Sequence, residues 1–127
     1  EMFVRASREL ALAAATAGQD AFLYVFGRNM GQPDERASHY MEVKYVFNKL
    51  SESAPKEDVR LSRAMMAYWT QFARSGNPNR DGLPAWPAFN LTEQPHLRLD
   101  VEMAQGQDDR RERLDAMDAY YADKLTP

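Results

Sequence analysis

No cysteine occurs in the 127 residues, which excludes disulfides, thiolate metal sites and a cysteine nucleophile. Long apolar runs are missing too: the longest, "AFLYVF" from Ala21 to Phe26, falls far short of the roughly 20 residues a membrane-crossing helix needs. Charge of one sign does not dominate either. Acidic side chains outnumber basic ones 19 to 16, and Arg110, Arg111 and Arg113 are interleaved with Asp108, Asp109 and Glu112. No basic stripe therefore follows a phosphate backbone, and nucleic acid is not an expected partner. The first residues, "EMFVRASRELALAAATAG", have neither a basic leader nor a continuous apolar core and do not read as a signal peptide. Since the chain opens on Glu1, an upstream part is expected to have been removed.

What is present reads as an alternation of helix and strand. Leu10, Ala13, Ala14 and Ala17 share a small-residue face that stops at Gly18, predicting a helix over about residues 2–17. "AFLYVF" follows, bounded by Gln19-Asp20 and Gly27, and fits a strand buried on both faces, as in parallel sheets. Turn-forming residues fill Gly27 to Met41. A short helix or turn is expected in "EVKYVFNKL", then a long amphipathic helix in "SESAPKEDVRLSRAMMAYWTQFARSG", with Met65, Trp69 and Phe72 as its core face and Gly76 as its stop. Pro78, Pro84 and Pro87 make "NPNRDGLPAWPAF" an ordered irregular crossing. "HLRLD", from His96 to Asp100, reads as a short edge strand, and a terminal helix carries Leu114, Met117 and Tyr121.

One apolar strand and one weak strand do not make a sheet. Leaving Phe22, Leu23, Val25 and Phe26 wet would forfeit about 6 to 12 kcal/mol, comparable with the net stability of a whole domain. The expectation is that further strands lie in a segment outside these residues, and that 1–127 is one incomplete part of an α/β domain.

His39, one of two histidines, should lie on the loop beyond the carboxyl end of the apolar strand, where open α/β sheets bind ligands. An imidazole there suits general base work near neutral pH. For acyl transfer it needs a hydroxyl nucleophile on one ring nitrogen and a carboxylate on the other. The nucleophile turn G-x-S-x-G is absent, and Ser38 adjoins His39 on a stretch where neighbouring side chains point apart. Glu42, three residues on, is expected to support the imidazole rather than act as the principal acid. In α/β-hydrolases the triad runs serine, then acid, then histidine. A carboxyl-terminal piece of such an enzyme would hold the histidine alone.

The segments "YVF", "ASHYMEVKYVF", "YWTQFARSGNPN" and "LPAWP", in that order and at ordinary spacing, resemble the carboxyl-terminal part of type-B carboxylesterases, the family of cholinesterases and para-nitrobenzyl esterases. The resemblance implies an α/β-hydrolase fold with a mostly parallel central sheet flanked by helices, here mainly helices plus one or two strands. It implies His39 as catalytic histidine, Glu42 as supporting acid, and Tyr45 and Phe47 as the aromatic pair behind them. It further implies a small carboxylic ester as substrate, no metal or organic cofactor, and, as partner, the upstream portion of the same enzyme carrying the serine and the Glu or Asp of the triad. The habits of relatives favour export, with no residue behind it. Two departures stand out: Arg36 replaces the family glycine before the alanine, and Tyr40 replaces the small residue after the histidine.

Plainer readings hold elsewhere. His96 has no metal-ligand partner at usable spacing and is structural, the Met65–Phe72 face is core, Trp86 is a packing anchor, and the charges at Asp108–Arg113 form a solvated face. "NLT" at Asn90 is formally a glycosylation acceptor. The rival reading is a non-catalytic interaction module, or an esterase-like adhesion protein that kept the scaffold and lost the chemistry.

Overall fold

A computed structural model describes residues 2–29, 40–107 and 111–125. The first helix, α1 (Met2–Thr16), ends where Gly18 takes φ +71°, a left-handed conformation that an L side chain resists. The apolar run that follows forms a strand only at its end, β1 (Tyr24–Phe26). Then come the short α2 (Val43–Val46) and the long α3 (Lys56–Ser75), which is closed by Gly76 at φ +73° with its N–H donating to the Phe72 carbonyl. An irregular crossing leads to β2 (Pro95–Leu99), β3 (Ala104–Gln107) and the terminal α4 (Arg111–Leu125).

The strands form one sheet in the order β1-β2-β3, with β1 parallel to β2 and β3 antiparallel to it. This corrects two expectations. "HLRLD" is not at an edge: β2 is the central strand, and its Leu97 and Leu99 are fully buried. β3 makes a third strand where one or two were expected. Its sequence, "AQGQ", has no apolar run to announce it; it is held by backbone pairing, with Gly106 opposite His96. A Cβ on Gly106 would come within 2.8 Å of His96 Nε2, so the absent side chain is what makes room for the imidazole.

Side chains alternate across the sheet, and the register Tyr24↔Leu97 and Phe26↔Leu99 puts these four on one face. There α2 and α3 cover them, and Tyr45, Leu61, Met65, Tyr68 and Trp86 complete the core. The α3 face that does this is rotated from the expected one. Asp58, Leu61, Ser62, Met65 and Tyr68 are buried, whereas Phe72 is 47% exposed. The crossing segment is pinned as expected by Trp86, whose indole N–H donates to the Leu23 carbonyl at 2.9 Å. Across the molecule α1 meets α4 through charge: Arg8, buried, donates to Asp115, Asp118 and Gln94, and Arg5 donates to Asp118.

β1 has a neighbour on one side only. Among the described residues nothing pairs with its other edge, and Phe22, Leu23, Val25 and Phe26 are only half-buried. No helix among the described residues is long and apolar enough to cross a membrane.

Candidate active site

The chain leaves the sheet just after β1. Gly27 still pairs, its N–H donating to the Leu99 carbonyl at 2.9 Å, and a Cβ there would meet Arg98 and Asp100 side-chain atoms at 2.6 Å. Arg28 then turns toward α3. Its Nε donates to Asp58 Oδ1 at 2.7 Å and an Nη to Oδ2 at 3.2 Å, a two-pronged guanidinium–carboxylate contact. His39, the residue expected to act as base, falls outside the described residues, and so does Arg36. Tyr40 follows with φ +73° and an exposed side chain. A small residue would adopt that backbone without the strain a tyrosine incurs.

Glu42 begins α2. Its backbone is already helical at φ −65° and ψ −26°, and its carbonyl accepts the N–H groups of Tyr45 and Val46. The side chain is half-buried and makes no capping hydrogen bond. The Tyr24 phenol is held above its ordinary pKa first by burial and then by the negative charge of Glu42, which lies close enough to β1 for the strand's tyrosine to feel it. The expected aromatic pair divides: Tyr45 is fully buried with its ring 5.1 Å from that of Phe26, while Phe47 is 67% exposed.

Tyr45 also completes a polar cluster that the sequence reading passed over. Its hydroxyl donates to Asp58 Oδ1 at 2.8 Å, and its carbonyl accepts from Ser62 Oγ at 2.6 Å. The Arg28 guanidinium, with help from the Tyr45 hydroxyl, holds the Asp58 carboxyl below its usual range against the opposing effect of burial. Tyr45 is pushed well above the ordinary phenol range by burial and by the adjoining carboxylate. A carboxylate inside the apolar face of α3, three residues before Leu61, was the available signal. Arg28 carries no comparable mark in the sequence.

On the same face of β1 a cleft of about 180 Å³ is lined by Phe22, Tyr24, Tyr68, Trp69, Phe72, Pro78 and Trp86. Its lining is mainly apolar and holds no nucleophile–base pair. Among the described residues no group of three His, Asp or Glu is placed to hold a metal ion. What these residues provide is a scaffold on either side of 30–39: β1 with Arg28 before it, and Tyr40, Glu42 and α2 after it.

Comparison with known proteins bears on what such a scaffold carries. A family model described as "Carboxylesterase family" matches residues 1–117. Carboxylesterase 5A of Homo sapiens is 46% identical over 88 residues, covering 63% of this chain and 15% of the relative. The medium-chain fatty acyl-CoA hydrolase precursor of Anas platyrhynchos is 37% identical over 108 residues, covering 79% and 19%. Among solved structures, a Geobacillus stearothermophilus carboxylesterase superposes with a TM-score of 0.66 at 28% identity over 84% of this chain and 23% of that one. A PNB esterase gives 0.67 at 26% over 76% and 21%. These neighbours are α/β-hydrolase esterases, and the chain spans only about a fifth or less of the length of the curated relatives it matches.

Proposed function

The chain belongs to the carboxylesterase family, and from that premise we propose that residues 1–127 are the carboxyl-terminal portion of a single α/β-hydrolase domain that hydrolyses small carboxylic esters, with His39 as general base. The observation that carries this reading is the placement of the matching segments. "YVF" is β1, "YMEVKYVF", from Tyr40 on, runs through α2, "YWTQFARSG" runs to the α3 stop, and "LPAWP" holds the crossing against β1 through Trp86. The edge of β1 that no described residue pairs with and the chain's small share of its relatives' length both support a partner supplied by the rest of the enzyme, which carries the serine and the triad acid.

In this mechanism the serine oxygen attacks the ester carbonyl carbon while His39 takes the hydroxyl proton. The proton passes to the departing alkoxide, so an alcohol leaves and an acyl-enzyme remains. Water then attacks the acyl carbon, giving its proton to His39, and the serine oxygen leaves with that proton as the acid is released. Glu42 supports the imidazole, and no metal or organic cofactor takes part. The test is turnover of a short-chain aryl ester by the full-length protein beside its His39→Ala variant. The variant is expected to lose at least about three orders of magnitude in kcat. Equal rates in the two proteins would remove His39 from the chemistry and favour a scaffold that has lost its activity.

A further inference from the structure

Arg28 and Tyr45 lie on opposite sides of residues 30–39, and both are bonded to the same carboxylate. Building on the reading of His39 as base, we infer that Asp58 is a positioning residue for the hydrolysis, fixing the spacing between the end of β1 and the start of α2, the two elements that flank His39 in the chain. Three hydrogen bonds converge on this side chain: Arg28 Nε and Tyr45 Oη on Oδ1, at 2.7 and 2.8 Å, and an Arg28 Nη on Oδ2 at 3.2 Å.

The location of the charge is the argument. Asp58 is 1% exposed and heads the row Leu61, Met65 and Tyr68 on the buried face of α3, a position where an apolar side chain would stabilise the packing at least as well. A carboxylate there contributes direction instead. The planar fork of Arg28 can satisfy both oxygens in only a narrow range of orientations, and the Tyr45 hydroxyl adds a third constraint. Ser62, one turn further along α3, bonds the Tyr45 carbonyl, so α2 is tied to α3 through both its side chain and its backbone. The surface pair Arg98–Asp100, with Arg98 half-exposed, shows the contrast: it joins residues two apart and connects no separate elements. A displacement of about 1 Å in a catalytic group can cost on the order of a hundredfold in rate, so a clamp on the two attachments of the base acts on kcat and leaves ground-state ester binding alone.

The experiment compares full-length wild type, Asp58→Asn, Asp58→Glu, Leu61→Ala and His39→Ala on a short-chain aryl ester, with rates normalised to folded protein. Asp58→Asn should lower kcat about ten- to hundredfold with KM within about twofold, and Asp58→Glu should recover part of the loss. Leu61→Ala, destabilised in thermal melts, should keep kcat. Tyr45→Phe removes only the phenol–carboxylate bond and, as a milder variant that keeps the core ring, should lower kcat about threefold or more. An unchanged kcat in Asp58→Asn or Tyr45→Phe while His39→Ala is inactive overturns the positioning role alone, as does a kcat loss in Leu61→Ala equal to that in Asp58→Asn. Activity in His39→Ala overturns the base assignment on which the positioning role depends.

Discussion

Trp86 allows packing and hydrogen bonding to be separated at one site. The side chain is 5% exposed, and its ring lies 5.2 Å from Tyr68, 5.7 Å from Trp69, 6.0 Å from Tyr24 and 6.3 Å from Phe22. Its backbone is held independently: Asn79 accepts the Trp86 N–H at 2.7 Å and donates to the Trp86 carbonyl at 2.9 Å. Replacing the side chain by alanine should therefore leave the crossing in place and open a cavity among four aromatic rings. The expected loss is about 3–5 kcal/mol, the range for emptying a buried aromatic site. Phenylalanine refills most of that space and forfeits the indole N–H bond to Leu23. That carbonyl still accepts the Leu97 N–H at 2.9 Å, so no buried acceptor is orphaned and the loss should be about 1–2 kcal/mol. Urea denaturation of the full-length protein, followed by circular dichroism because the fluorophore itself is changed, gives both differences from the midpoints at constant slope. A loss below about 1 kcal/mol for Trp86→Ala would refute the anchoring role, since so small a value cannot come from a filled site. Equal losses for the two variants would refute the division between packing and hydrogen bonding.

Two further outcomes follow from local geometry. Gly76→Ala should cost about 1 kcal/mol in the same denaturation measurement, because φ is +73° at this helix stop and open space around it leaves backbone strain as the sole penalty. Burial raises the Tyr68 phenol to about 12, so the folded state keeps its proton where the unfolded chain, near 10, has lost it. That contribution is fully present below pH 10 and disappears as pH rises from about 10 to 12; Tyr68→Phe should flatten the alkaline limb of the stability–pH curve, while an unchanged slope would contradict the shift.

Much of the fold was legible because its signals are local. Gly18 and Gly76 mark two helix ends by the left-handed backbone that glycine adopts most readily, and both are left-handed in the structure. The apolar run at Ala21–Phe26 indicated a strand, which forms only over its last three residues, Tyr24–Phe26. What escaped depends on residues far apart in the chain. α3 was assigned Met65, Trp69 and Phe72 as its core face by hydrophobicity alone, but Phe72 is half-exposed and Asp58 is inside, made tolerable there by Arg28, thirty positions upstream. Arg8 is buried for the same reason, its charge met by Asp115 and Asp118 from the opposite end of the chain. β3 has no side-chain pattern at all, and because it was invisible β2 was read as an edge. The proposed catalytic base, His39, was reached through motif order, and it lies outside the described residues.

Where the chain departs from local rules is itself informative. Among the described residues three non-glycine positions have positive φ: Tyr40, Asn48 and Gln94. Asparagine is among the side chains that tolerate this conformation, and the Gln94 amide oxygen accepts Arg8 Nε at 2.8 Å inside the α1–α4 contact, so these two are accounted for. Tyr40 is bulky, exposed and at φ +73°, a combination costing roughly 1–2 kcal/mol relative to glycine sterics. Strain of this size persists where surrounding structure over-determines the backbone. Here the α2 start does so from one side: the Val43 N–H bonds the Tyr40 carbonyl and Tyr45 is fastened to Asp58. A left-handed residue next to the proposed base thus depends on the same clamp that ties α2 to α3, and loosening Asp58 should release backbone at the position where the chain re-enters the scaffold from His39.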